Sequence, residues 1–176
     1  MMKRAVVLAV VLGLAIPAPS VWASAKTFGH KVTIEVPPSL DLAGSQQDFT
    51  LAFPNTSSGS ETNAVTIQYT MNSNGMMQAS GAPAVMAQLD GVFPGVDVRA
   101  QVGAFSKMAG DTELIPASSS YITVRDSAVP LAMKGSSTGT GRVLSGTLPV
   151  TYKAVATSDL ASGVYARQLT LTLTDI

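Results

Sequence analysis

The sequence contains no cysteine and only one histidine, His30, among its 176 residues. Without cysteine the chain cannot form a disulfide, a thiolate zinc site or a thiol nucleophile. The acidic residues are spread singly, so no carboxylate pair indicates acid–base catalysis. A lone histidine beside Gly29 is more often an ordinary surface residue than a metal ligand or a triad member. We therefore expect no enzyme activity, no cofactor and no metal site.

Charge is also sparse. Only 12% of the residues are charged, and the 11 basic residues balance the 11 acidic ones. Binding to nucleic acid or to an anionic membrane needs a dense basic face, so neither partner is expected. The glycine-rich stretch GSSTGTG lacks the Gly-Lys-Ser/Thr ending of a phosphate-binding loop, and an ordinary loop is the better interpretation.

The first 25 residues have the pattern of a cleaved signal peptide. Lys3 and Arg4 precede an apolar run over residues 5–16, and Pro17 and Pro19 follow it. This run is too short to span a bilayer, which takes about 20 residues. The motif Ala23-Ser24-Ala25 predicts cleavage after Ala25, with Ala23 as the alternative. The exported chain of 151 residues, with nine basic and eleven acidic residues, is long enough for one domain.

Beyond the signal peptide, apolar and polar residues alternate with a period of two in short runs separated by turn residues. This pattern predicts eight strands and an antiparallel β-sandwich. The apolar positions of the runs are Val32–Val36, Phe49–Phe53, Val65–Met71, Val96–Val102, Ile122–Val124, Val129–Met133, Leu148–Ala154 and Leu169–Leu173, taken at every second residue.

Three other stretches interrupt the strand pattern. Residues 82–89, APAVMAQL, fit a short helix with Pro83 in its first turn, but also a loop or an irregular strand. The polar stretches at residues 54–63 and 134–142 are predicted to be mobile loops within the same domain.

The first alternating run, with Phe28, Val32, Ile34 and Val36 on one face, follows the cleavage site directly. A strand with an apolar face must bury that face. It could be the first strand of its own sandwich, or it could fill a gap in the sheet of another copy by strand addition. Alternation alone does not decide between these two interpretations.

Both ends of the exported chain resemble a known family. KVTIEVPPSLDLAGS, with Pro38 and then Asp41 and Leu42 after the alternating run, resembles the mature N-terminus of alternate chaperone-usher pilins of the colonisation-factor type. The C-terminal stretch ASGVYARQLTLTLTDI resembles the last strand of the same family, with a Gly-x-Tyr turn before alternating aliphatic residues. The residues that carry this second resemblance are Gly163, Tyr165, Leu169, Leu171 and Leu173.

The resemblance implies an incomplete immunoglobulin-like β-sandwich that is completed by donor-strand exchange. Residues 26–37 would be the donor strand, residues 38–176 the pilin domain, and the C-terminal strand the edge of the receiving groove. The implied partners are further copies of the chain, a periplasmic chaperone, an outer-membrane usher and a surface receptor, and the implied location is a fimbria at the cell surface. The alternative is a self-complete secreted sandwich that binds a ligand or a surface partner as a monomer.

Overall fold

The computed structural model describes residues 31 to 175, and this part of the chain contains ten β-strands and no helix. The strands form two antiparallel sheets that pack face to face, which confirms the predicted all-β, immunoglobulin-like sandwich. A boundary between two units of the chain follows Glu35, and the sandwich lies within Val36–Ile176.

The first sheet has six strands. Five follow the order β1-β2-β9-β4-β7. The sixth, β5, pairs with residues 144–147 of β9, whereas β4 pairs with residues 150–156. The strands are β1 (Leu40–Gly44), β2 (Val65–Ser73), β4 (Val96–Val102), β5 (Ser106–Gly110), β7 (Ile122–Val124) and β9 (Leu144–Ala156).

The second sheet has four strands in the order β10-β3-β8-β6. Among residues 31–175, strand β10 forms one edge of this sheet and pairs only with β3, with Leu169 opposite Leu89 and Leu173 opposite Val85. The strands are β3 (Pro83–Leu89), β6 (Thr112–Pro116), β8 (Val129–Ser137) and β10 (Leu169–Leu173).

Strand β9 is the longest element and pairs with three others. Its alternate residues are buried between the sheets, as a period of two requires when one face of a sheet meets the core. Leu148, Val150 and Tyr152 are fully buried and face Val85, Ala87 and Leu131 of the second sheet across one continuous core.

The stretch at residues 82–89 is a strand and not a helix. Pro83 occupies the first position of β3, where a missing backbone N–H is tolerated. The pairing of β3 with β8 shifts register on both sides of Val85, and Ala84 and Val85 are both buried as a result. This bulged burial pattern hid the period of two in the sequence.

Two predicted strands are not strands in this structure. The runs around Val32–Val36 and Phe49–Phe53 have no strand pairing within the described residues. Conversely, alternation did not identify β1, β5 and β6, each of five residues. The predicted loop at 134–142 is also shorter than expected, because β8 continues to Ser137.

A loop that links the two sheets is held by one carboxylate. The side chain of Asp111 accepts hydrogen bonds from the Val143 amide, the Thr140 hydroxyl and the Gly141 amide, each at 2.8 Å. On the other side of the loop, the buried ammonium of Lys134 donates to the carbonyls of Met76 at 2.9 Å and Gly141 at 2.7 Å. Both charged groups therefore fix the backbone between β8 and β9.

We expect Asp111 to titrate well below an ordinary carboxyl. The Val143 amide, the Thr140 hydroxyl and the Gly141 amide stabilise the carboxylate, which lowers the pKa of Asp111 from 3.8 to about 2. Because the folded-state pKa is lowered, this contribution to stability is present above pH 3.8 and is lost as the pH falls towards 2. An NMR titration of the Val143 amide signal should show this midpoint.

The substitution Asp111→Asn should abolish this titration and loosen the loop, whereas Asp41→Asn on strand β1 should leave it unchanged. A midpoint near 3.8 for the Val143 signal would contradict the assignment.

Candidate functional site

A large groove opens where β2 and β4 begin and β3 ends. Its volume is about 1100 Å³. The first sheet contributes Ile67, Val98 and Ala154 to its lining, and the second sheet contributes Leu89 and Leu169. These side chains face the groove because they belong to the inward-facing sets of their strands. The groove is thus a part of the sandwich core that extends to the surface.

One wall of the groove is the irregular segment 47–56. Phe49, Leu51 and Phe53 are partly buried along it, whereas Thr50 and Ala52 are exposed. The Phe49 ring stacks on Tyr152, with ring centroids 5.0 Å apart and an interplanar angle of 26°. The alternation seen in the sequence is therefore real, but it points side chains into a groove and not into a paired sheet.

The backbone of this segment explains why it is not a strand. The Ser45 amide donates to the Gln68 carbonyl at 2.8 Å, and beyond this point residues 46–55 make no backbone–backbone hydrogen bond within residues 31–175. The Ala52 amide donates to the Asn63 side chain instead, at 3.0 Å. Phe49, Leu51 and Phe53 are consequently attached to the domain by side-chain packing.

Two tyrosine hydroxyls meet beneath Phe49. The hydroxyls of Tyr69 and Tyr152 lie 3.1 Å apart and share a hydrogen bond. Burial raises the pKa of Tyr152 far above the usual range, and the neighbouring Tyr69 adds to the effect. Burial also raises the pKa of Tyr69, while its hydrogen bond with Tyr152 partly opposes the shift. Both phenols stay neutral near pH 7, so the pair adds polar atoms but no charge beside the groove. The charged residues of the groove lining are Asp48 and Arg167.

The other wall is the loop 160–168, which precedes β10. It is fixed at both ends: the Leu160 amide donates to the Thr56 carbonyl at 2.8 Å, and the Asp90 amide donates to the Gln168 carbonyl at 2.9 Å. Between these points Val164 is 99% exposed and Tyr165 is 55% exposed. Apolar side chains therefore stand at the rim of the groove.

The predicted groove-edge residues fall into two groups. Leu169, Leu171 and Leu173 belong to β10 and pack against the core. Gly163 and Tyr165 lie in the preceding loop, outside the strand, and Tyr165 donates to the Ala161 carbonyl at 3.1 Å. The structure thus puts Gly163, Tyr165 and Leu169 on the groove lining.

The predicted donor residues are exposed where they are described. The side chains of Val32, Ile34 and Val36 are 78%, 82% and 72% exposed and belong to no strand. Phe28 and His30 lie outside the described residues, as does the signal peptide. The predicted halves of the site therefore differ: the three leucines of β10 pack in the sandwich, and the described N-terminal residues are exposed.

The sequence did not identify Phe49, Tyr69 and Tyr152 as parts of the site. Alternation marked all three as inward-facing strand residues, which is also how an ordinary core position looks. The feature that distinguishes this place from an ordinary core is the end of β1 at Gly44, opposite Tyr69. The first residues of β2 therefore have no partner strand on that side.

The described residues hold no cluster of three or more side chains of the kinds that bind metals. A helix long and apolar enough to span a membrane is likewise not found between residues 31 and 175. No protein-family model matches the chain, and no curated protein matches it.

We expect the two tyrosine hydroxyls to stabilise the sandwich as a pair. Tyr152→Phe should lower the free energy of unfolding by about 1 kcal/mol, because the Tyr69 hydroxyl loses its protein partner. Tyr69→Phe should have a similar or larger effect, because it leaves the fully buried Tyr152 hydroxyl without its partner. The double substitution should cost less than the sum of the two. Urea unfolding of the purified variants measures each value.

Tyr121→Phe is a matched control, because its ring lies beneath the Lys153 ammonium and outside the pair. It should change stability by less than about 0.5 kcal/mol. Strictly additive effects of the Tyr69 and Tyr152 substitutions would contradict the pairing.

Proposed function

We propose that the chain is a structural subunit of a surface fimbria, which polymerises when each copy gives its N-terminal strand to the groove of a neighbour. One observation carries the proposal: the same chain has a wide groove with an apolar floor beside an edge strand and an exposed alternating apolar segment. The two features are complementary in chemistry and in periodicity.

The edge strand supports strand addition. β10 pairs with β3 on one side and has no strand on its other side among residues 31–175. An edge strand presents unpaired N–H and C=O groups that a further strand can satisfy. The neighbouring segment 46–55 also has free backbone groups, so an incoming strand would find hydrogen-bond partners beside an apolar floor.

The energetics also favour an alternating occupant. Val32, Ile34 and Val36 are at every second position, so an extended chain directs all three to one face. Full burial of such a side chain contributes about 1.5–3 kcal/mol, and three together supply several kcal/mol for a lasting contact between subunits. Donation would also remove exposed apolar surface from the N-terminal segment.

The ends of the sandwich suit a head-to-tail chain of subunits. β1 begins with Leu40 opposite Ser73, next to the start of β9, whereas the groove lies near the other end of β9, at Ala154. The N-terminal segment thus joins the sandwich at one end, and the groove opens towards the other. A contact between two different surfaces generates an open filament when its rotation does not close a ring.

Export and assembly factors belong to the same proposal. The signal-peptide pattern of residues 1–25 supports export, and the resemblance of both chain ends to chaperone-usher pilins suggests a periplasmic chaperone and an outer-membrane usher as partners. The chaperone would protect the groove until a donor strand replaces it. The finished fibre would support adhesion to a surface receptor.

A self-complete monomer is the second candidate, and one observation favours it. Phe49 already covers Tyr152, and the segment 47–56 shields part of the groove within the same chain. If this cover were sufficient, the remaining groove would bind an apolar ligand. Multimers that resist detergent in an unboiled periplasmic extract would favour the fibre, and a single band would favour the monomer.

We expect Ile34→Asp to abolish polymerisation, because a carboxylate in place of the Ile34 side chain would have to leave water for the apolar floor of the groove. The matched control is Thr33→Asp, which adds the same charge one residue away, on the opposite face of the extended segment. Unboiled gel electrophoresis of exported protein should show a ladder for the wild type and for the control but not for Ile34→Asp.

The exported Ile34→Asp monomer should still co-purify with a chaperone, since the groove itself is unchanged. A ladder of normal intensity from this variant would refute the role of Ile34 as a donor residue.

A further inference from the structure

We propose that Pro37 and Pro38, together with Asn74, prevent each copy from filling its own groove and so reserve the N-terminal segment for a second copy. This inference rests on the proposed function. It adds a separate claim about how the chain selects between an intramolecular and an intermolecular donor.

Self-filling requires a sharp reversal just before β1. Strand β1 runs from the end of the sandwich at Ser73 towards the groove end. The residues before Leu40 could reach the groove only by turning back and running antiparallel to β1. Between Ser73 and Val65 the first sheet is about 27 Å long at 3.4 Å per residue, and residues 26–36 could span about 37 Å. The N-terminal segment is therefore long enough to reach its own groove, and the turn before β1 determines whether it can do so.

The sequence Val36-Pro37-Pro38-Ser39 is poorly suited to that turn. The two-residue turns that best connect antiparallel strands need positive φ angles, whereas proline fixes φ near −65°. Proline is also excluded from the second central position of a type II turn and is disfavoured there in type I. Each proline further restricts the preceding residue, Val36 or Pro37, to an extended conformation.

A turn centred one residue later, on Pro38 and Ser39, meets a different obstacle. The Ser39 amide donates to the Asn74 side chain at 2.7 Å, and the Asn74 amide donates to the Ser39 carbonyl at 3.2 Å. Ser39 thus continues the ladder of β1 opposite Asn74. The side-chain amide of Asn74 also donates to the Pro37 carbonyl at 2.8 Å. A turn at this position would break the Ser39 bonds.

The three hydrogen bonds of Asn74 and the two prolines act in the same direction. Asn74 fixes the chain at Pro37 and Ser39, and the prolines favour an extended path at Val36 and Pro37. The chain from Val36 to Ser39 is therefore held in a conformation that opposes a reversal before β1. A second copy of the chain is the occupant that this arrangement favours.

The test replaces Pro37 and Pro38, here called the joint, by two residues that favour a hairpin turn. Pro37→Asn combined with Pro38→Gly introduces the Asn-Gly pair that most strongly favours a type I′ turn. The control, Ser57→Asn with Ser58→Gly, introduces the same residues in an exposed loop, where neither original side chain makes a hydrogen bond within the described residues. Asn74→Ala is a second variant, in which both side-chain bonds to the joint are lost.

Each exported protein is unfolded, refolded at high dilution and titrated with a fluorescent peptide of residues 26–36. The wild type and the control should bind the peptide and form multimers when concentrated. The variant with the hairpin turn should remain monomeric and bind the peptide roughly 100-fold more weakly, because its own segment competes at an effective concentration in the millimolar range. Asn74→Ala should shift in the same direction by a smaller factor.

The outcomes separate the two proposals. If the hairpin variant binds peptide and multimerises like the wild type, the inference about the joint is wrong while the proposed function stands. If wild-type monomer rejects the peptide but accepts it after Ile34→Asp, the chain fills its own groove and the inference is overturned. If neither the wild type nor Ile34→Asp binds the peptide, and the wild type does not multimerise, the proposed function fails and the inference fails with it.

Discussion

The pairing of β9 with its neighbours is the constraint on which the rest of the structure depends. This strand joins β2, β4 and β5 into one sheet and buries Leu148, Val150 and Tyr152 against the second sheet. Close approach is part of the arrangement: a side chain at Gly146 would collide with Phe105 and with the Ser106 carbonyl, so only glycine lets β5 lie against β9 here. Without disulfides, burial and backbone pairing must supply the stability of the domain.

The groove forms where the strand pairing of the two sheets ends. β1 accompanies only the residues from Tyr69 to Ser73 of β2, and β10 is the last strand of the second sheet. Between these two edges the sandwich is covered by segments whose side chains pack but whose backbones form no ladder. Residues 47–56 and 160–168 therefore close the core incompletely, and the Tyr69–Tyr152 pair lies beneath Phe49 of the first of these segments.

The sequence was sufficient for the fold class and for most of the long strands, because a period of two is strong where one face is buried over many residues. It left β3 open between a helix, a loop and an irregular strand, because the bulge of β3 brings Ala84 and Val85 to the same side. It also predicted a strand at Phe49–Phe53, where the side chains alternate but backbone partners are missing. Strand existence depends on a partner, and period-two patterning reports only which face is buried. The groove combines segments distant in sequence, so alternation alone could not outline it.

The N-terminal segment and strand β10 show the same distinction between side-chain pattern and backbone partner. Val32, Ile34 and Val36 have the pattern of a strand and are exposed, whereas β10 has a backbone edge without a second strand among the described residues. Each feature lacks what the other supplies. Joining them within one copy requires a reversal at Pro37 and Pro38, where proline geometry opposes a tight turn. Under the proposed function, joining them between copies requires none, so stiffness at these two residues would favour a filament over a closed monomer.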